Sequence, residues 1–133
     1  MNSLKKNIVK IPDSSEGNFV IKYFPNWSIP YLHLSRADRP TGTWLLLLPC
    51  LFGILLAYVE KNNLSVSFYE IWLLIACIIG AFLMRGAGCT WNDILDKDYD
   101  AKVKRTQNRP IPSGQVTIRR AIYWMIVQSL LAF

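Results

Sequence analysis

The sequence predicts an all-α membrane protein with two transmembrane helices and the beginning of a third. Residues 41–59 contain no Asp, Glu, Lys or Arg. At ~1.5 Å per helical residue that run reaches about 28 Å, enough to cross the hydrocarbon of a bilayer. Residues 71–91 form a second apolar run, interrupted only by Arg85. Hydrophobic residues make up 52% of the 133 and aromatics 13%, and mean hydropathy is positive, which fits an ordinary soluble domain poorly.

In chain order, residues 1–22 read as a polar lead, where Pro12, Asp13, Ser14, Ser15, Glu16 and Gly17 discourage regular structure. Residues 1–30 are therefore set apart as a polar and interfacial segment. Residues 23–40 mix Tyr23, Phe24, Trp27 and Tyr31 with Arg36 and Arg39, a composition suited to lying at headgroup level. Pro49 falls inside the first span and removes the hydrogen bond to Leu45 four residues back, which predicts a bend. Gly86 and Gly88 give the end of the second span a narrow surface for another helix or a ligand. The helix is expected to run on past Asp100 until Pro110 and Pro112 stop it. Ser113 and Gly114 then read as a turn, with Thr117 capping a third helix. That third apolar segment, 121–133, is too short to cross a bilayer, so the chain is expected to be an N-terminal fragment of a larger bundle. No internal repeat or low-complexity tract occurs.

Charge sets the orientation. Residues 1–40 carry six Lys or Arg, the loop between the two spans only Lys61, and residues 92–120 seven. Cations gather on the cytoplasmic side, so the N-terminus and the acidic loop are expected there, in a multi-pass protein of a bacterial inner membrane. The first forty residues hold no apolar core followed by a cleavage site, so the first span is expected to act as its own insertion signal. The net charge of +6 is accounted for by topology and anionic lipid, without nucleic acid. Cys50, Cys77 and Cys89 show no metal-ligand spacing and read as small apolar packers. His33, within Tyr31-Leu-His-Leu34, reads as an interfacial residue.

The chemistry concentrates where the second span ends. Asn92, Asp96 and Asp100 recur at four-residue steps, and Asp93 precedes Asp96 by three. At ~100° per residue all four fall within roughly a quarter-turn of one helix face, with Asp98 pointing elsewhere. Charge at the mouth of a membrane helix marks a site. A solvated helix end is the plainest reading of this cluster. A calcium loop fails at Ala101 and Gln107, where an EF-hand needs Gly and Glu. Magnesium bridging to a diphosphate uses one or two carboxylates and fills its other positions with water and phosphate oxygen. It also accounts for the cations Arg85, Lys102, Lys104, Arg105 and Arg109 around the cluster.

Asn92-Asp93-x-x-Asp96-x-x-x-Asp100 resembles the first aspartate-rich motif of the UbiA-type membrane prenyltransferases. Leu83-Met-Arg-Gly-Ala-Gly-Cys89 and Val103-Lys-Arg-Thr-Gln-Asn-Arg-Pro-Ile-Pro-Ser-Gly114 look like the 4-hydroxybenzoate polyprenyltransferase branch, and Arg36-Ala-Asp-Arg-Pro-Thr-Gly42 is similar too. The resemblance runs from about residue 31 to the end, so 31–133 is taken as the N-terminal part of such a domain. It implies a nine-helix bundle around a cavity. It also implies Mg2+-dependent transfer of a polyprenyl group from polyprenyl diphosphate to carbon 3 of 4-hydroxybenzoate, in ubiquinone biosynthesis. Carried over, Asp93, Asp96 and Asp100 would be the catalytic and metal-holding carboxylates, with Asn92 beside them. Arg85, Lys104, Arg105 and Arg109 would neutralise phosphate or the aromatic carboxylate. Trp44 or Trp91 would stabilise an allylic cation, or simply pack.

The family's second aspartate-rich motif has no counterpart, since every aspartate after residue 90 belongs to the first cluster. The chain alone is therefore expected to be inactive, with a separately encoded C-terminal half as one possible partner. Two other readings stay open: a prenyltransferase of the superfamily with haem or another aromatic acceptor, and a non-catalytic membrane remnant.

Overall fold

The computed structural model describes residues 22–39, 41–61 and 67–133. The polar lead, residues 1–22, lies outside that range except for Lys22, as does most of the loop after Lys61. Among the described residues the regular elements are all helices, joined by turns: α1 (Ile29–Leu34), α2 (Thr41–Glu60), α3 (Phe68–Leu95), α4 (Lys97–Asp100) and α5 (Ile118–Ala132).

Pro30 sits in the first turn of α1, where its missing N–H is no loss and its fixed φ favours the helix. Arg36 ends that helix with φ of 52°, a left-handed conformation unusual for a side chain of its size. It turns the chain and sets the guanidinium toward the end of α3. The first span matches expectation: α2 covers 41–60 with Pro49 inside it. One position further on, the Cys50 thiol donates to the Leu46 carbonyl at 3.4 Å. The second span is longer than its charge-free stretch. It starts at Phe68, where Ser67 Oγ accepts from the Tyr69 N–H and the Glu70 carboxylate accepts from the Ser67 N–H at 2.6 Å, a capping box. Lys61 closes the same corner on Glu70 at 2.7 Å.

Only Gly42 and Leu47 of α2 are buried, while Trp44, Leu45, Phe52, Leu56 and Val59 are exposed. α3 shows the same pattern at Ile71, Trp72, Ile75, Ile78 and Ile79. Both helices are long and apolar enough to cross a membrane, and apolar surface of this extent is at home in lipid or against further helices. The enclosed packing lies at one end of the spans instead. Leu34, Ile111, Val116 and Ala121 form a buried cluster, with Tyr31, Ile94 and Ile118 against it. It joins α1, the end of α3, the 101–117 loop and the start of α5 into one unit.

α3 is central, with α5 along one side and α2 along another. Gly86 is where α5 comes closest. A Cβ there would collide with the Gln128 amide and lie 3.0 Å from Ser35 Cβ. Gly88 faces open space, so of the two glycines expected to admit a neighbour, one does so in this chain. Gln128 and Trp124 of α5 both donate to Ser35 Oγ, at 3.0 and 2.9 Å, and Ser35 Oγ donates in turn to the Tyr31 carbonyl.

Three local expectations need correction. The helix does not run through and beyond Asp100. It breaks at Asp96 (ψ 5°), resumes for one turn, and gives way to successive turns in which Thr106 Oγ1 donates to the Asp100 carbonyl at 3.0 Å. His33 is buried rather than interfacial, and burial pushes its imidazole below the usual range, with nearby Asp38 opposing and Arg36 assisting. Thr117 occupies the N-cap of α5 but makes no side-chain cap bond. The Ser113-Gly114 turn is as expected, with Gly114 at φ 75°. Of the cysteines Cys89 is buried, Cys77 half-buried and Cys50 exposed, all as free thiols.

Candidate functional site

The helical phase of the acidic residues explains how the site divides. Projected on one continuous helix, Asp93 and Asp100 would be about 20° apart at one edge and Asn92 and Asp96 about 40° apart at the other. The one-turn α4 after the break at Asp96 still leaves Asp100 on the side of Asp93. The structure turns the first edge inward and the second outward. Asp93 and Asp100 are buried at 2% and 8% exposure, whereas Asn92, Asp96 and Asp98 are exposed.

A buried carboxylate is tolerable only when paired, and Asp93 is paired twice. Arg36 donates to its Oδ1 at 3.0 Å and Arg109 at 3.3 Å. The same Arg109 Nη1 lies 2.6 Å from Asp100 Oδ2. One guanidinium thus bridges two carboxylates seven residues apart, while a second arrives from the residue that ends α1. This clamp fastens three segments to the end of α3: the turn after α1, the α4 turn, and the 101–117 loop. The loop's own geometry brings Arg109 there, through Thr106 on the Asp100 carbonyl and Ser113 Oγ donating to the Arg109 carbonyl at 2.6 Å.

The remaining cations lie elsewhere. The Arg85 guanidinium rests against α2 at Gly42, where a Cβ would collide with it, and its buried Nε has no partner among the described residues. Lys104 and Arg105 stand exposed on the loop. Trp44 and Trp91 are both about half exposed, on surfaces that face outward in this chain.

The structure therefore brings together Asp93, Asp100 and Arg109 from the expected residues and leaves Asn92 and Asp96 beside them, facing out. Arg36 is the partner of Asp93 that motif spacing missed. The available signal was the acid itself, because Asp93 on the inward edge required a cation from outside its own helix. As for a metal, no group of three His, Cys, Asp or Glu side chains converges among the described residues. The outward edge offers an amide oxygen and a carboxylate one turn apart. Such a donor set suits a hard cation that completes its shell with water and phosphate.

Comparison with known proteins agrees with the sequence resemblance. Residues 46–133 match the UbiA prenyltransferase family. The chain is 48% identical over 103 residues to a protein named 4-hydroxybenzoate polyprenyltransferase, mitochondrial, of Homo sapiens, covering 77% of this chain and 26% of that protein. It is 45% identical over 103 residues to a 4-hydroxybenzoate octaprenyltransferase of Shewanella loihica, covering 77% and 34%. To the mitochondrial 4-hydroxybenzoate polyprenyltransferase of Dictyostelium discoideum it is 42% identical over 122 residues, covering 92% and 25%. The chain spans about a quarter to a third of the length of these relatives. No solved structure matches. With two membrane-length helices, a membrane-end acidic motif and a family match over most of its length, the chain belongs to the UbiA prenyltransferase family.

Proposed function

We propose that this chain forms the first diphosphate-binding half of a 4-hydroxybenzoate polyprenyltransferase that serves ubiquinone biosynthesis. The observation that carries the reading is the split of the acidic motif into an arginine-clamped edge and an exposed edge. Asn92 and Asp96 would hold Mg2+ together with the diphosphate of the prenyl donor, and Asp100 borders them with one oxygen on Arg109. The ion, when bound, supplies positive charge to the departing diphosphate. Asp93, with Arg36 and Arg109, fixes the backbone from which Asn92 and Asp96 project, so that their oxygens are set before substrate arrives. Lys104 and Arg105, exposed on the loop held by Arg109, are positioned to meet phosphate from the aqueous side. Arg85, deeper in α3, suits the carboxylate of 4-hydroxybenzoate. Its buried Nε has no hydrogen-bond partner among the described residues, which leaves a donor that a carboxylate could use. As the bond from the allylic carbon to the diphosphate oxygen breaks, the electron-rich ring attacks that carbon through carbon 3. The carbon-3 proton then leaves to the released diphosphate or to water, which restores the aromatic ring. Exclusion of bulk water protects the cation from capture.

The test is transfer of a polyprenyl group to 4-hydroxybenzoate by a chimera in which a relative supplies the remainder of the family domain. Asp96→Ala should lower the rate by about 10²–10³-fold, the usual scale for losing a transition-state charge stabiliser. Asp98→Ala, on the opposite side of the helix, should leave it within about twofold. Equal losses at both positions would defeat the assignment.

The orientation expected from the cations belongs to the same reading, with the N-terminus and the acidic loop on the cytoplasmic face of a bacterial inner membrane or its organellar counterpart. On a cysteine-free background, a single cysteine at residues 60–70 should react with an impermeant reagent from the outer side. One at residues 105–115 should react only from the inner side. The opposite pattern would place the diphosphate site on the wrong face.

A further inference from the structure

We propose that the groove between the segment before α1 and the first turns of α5 is a binding site for an anionic phospholipid of the surrounding leaflet. The groove encloses about 680 Å³. Its floor is the Tyr31–Trp124 pair, ring centroids 5.5 Å apart and tilted by 57°. Trp124 is held in place by its bond to Ser35 Oγ, so the surface is formed before any ligand arrives. Trp27 and Tyr123 line the walls, and both are more than two-thirds exposed. Large rings left open beside membrane-length helices suit an interfacial belt that takes up acyl chains.

The polar end of the groove identifies the occupant. Arg119 and Arg120 line it. The first turn of α5 contains no acid, and neither arginine has an ion pair among the described residues. Two cations in a first turn oppose the helix dipole, so helix stability does not explain them, whereas a phosphate diester would satisfy both. The polar lead of this chain is a weaker match, because Lys5, Lys6 and Lys10 outnumber Asp13 and Glu16 and it brings net positive charge to the arginine pair. A second copy would set the same arginine pair near its own mate across a two-fold axis. A phospholipid matches both halves of the groove, with apolar chain on rings and phosphate on guanidinium, as basic pockets between membrane helices do on the cytoplasmic side. The inference rests on the membrane reading and is independent of prenyl transfer.

The experiment reconstitutes the 133-residue chain in vesicles of phosphatidylcholine and phosphatidylglycerol in equal parts. A trace of either lipid carries a photoreactive group in its acyl chain, and the labelled peptides are then mapped. The phosphatidylglycerol probe should mark the peptides containing Trp27 and Tyr123–Trp124 well above the phosphatidylcholine probe, by about fivefold per arginine. The R119Q/R120Q double variant should bring the two probes level. The K97Q/K102Q variant, which removes the same charge elsewhere, should leave the preference intact. Equal labelling by both probes, labelling spread evenly over α2 and α3, or equal loss in both double variants would overturn the proposal. So would cross-links from the groove to residues 1–21 or to a second copy, or preferential displacement of the label by polyprenyl diphosphate.

Discussion

Replacing Arg109 by Ala is expected to destabilise the chain by about 3 kcal/mol, in the range for breaking a buried ion pair from one side. The side chain of Asp93 is 3% exposed and that of Arg109 16%. Loss of the guanidinium leaves Asp93 with Arg36 as its one named partner and removes the partner of Asp100 Oδ2. The reduced effect of solvent screening at this burial is what separates the pair from a surface salt bridge, where the loss would be under about 1 kcal/mol. Thermal unfolding in detergent should show a lowered transition, and limited proteolysis should cut first within residues 101–117, which lose their attachment to α3. Arg109→Lys should recover only part of the loss, since one ammonium replaces a planar group with several donors. A variant as stable as the parent would mean that the clamp is incidental.

Gly86→Leu is expected to separate α5 from α3. A Cβ alone at this position would collide with the Gln128 amide and press on Ser35. Gln128 is 2% exposed and Ser35 4%, so neither can swing into open space. Overpacking of this kind costs about 1–3 kcal/mol. The larger end applies here, because the shift would also break the bonds from Gln128 and Trp124 to Ser35 Oγ. Trp124 should then become more accessible, as read by fluorescence quenching. Gly88→Leu is the matched control: nothing lies within 4 Å of its Cβ position, and leucine favours helix more than glycine does. Its stability should be unchanged or slightly raised.

The parts of this fold that depend on one-dimensional patterning were legible in the sequence. A charge-free run fixes α2 because carrying Lys or Asp through hydrocarbon is costly, and that rule needs no knowledge of neighbours. The acidic cluster was legible as far as the end of α3, since the step from Asn92 to Asp96 is a property of one helix, whereas Asp100 lies beyond the break. Features decided by distant partners were not. Beyond the break at Asp96, Asp100 pairs with Arg109 and its carbonyl accepts from Thr106, and neither contact has a local signature. In the sequence, Arg36 figured as a cation of the topology and headgroup arguments and as the start of the family-like stretch 36–42, without a partner. Its left-handed backbone and its pairing with Asp93, 57 positions away, become visible only when α1 is packed against α3. Gln128 and Ser35 carried a weaker signal, as polar residues at an otherwise apolar helix contact where a partner is required.

In the proposed function one acidic motif does two jobs, with Asp93 holding the scaffold and Asp96 meeting the ligand. The direct test measures thermal stability and Mg2+-dependent diphosphate affinity on the same reconstituted variants. Asp93→Asn should lower the unfolding transition, and affinity should fall only in step with the folded fraction. Asp96→Asn should melt with the parent yet bind diphosphate at least about tenfold more weakly, the equivalent of roughly 1.4 kcal/mol. If Asp93→Asn instead keeps full stability and loses affinity, or if the two variants lose both properties in parallel, the division of the motif is wrong.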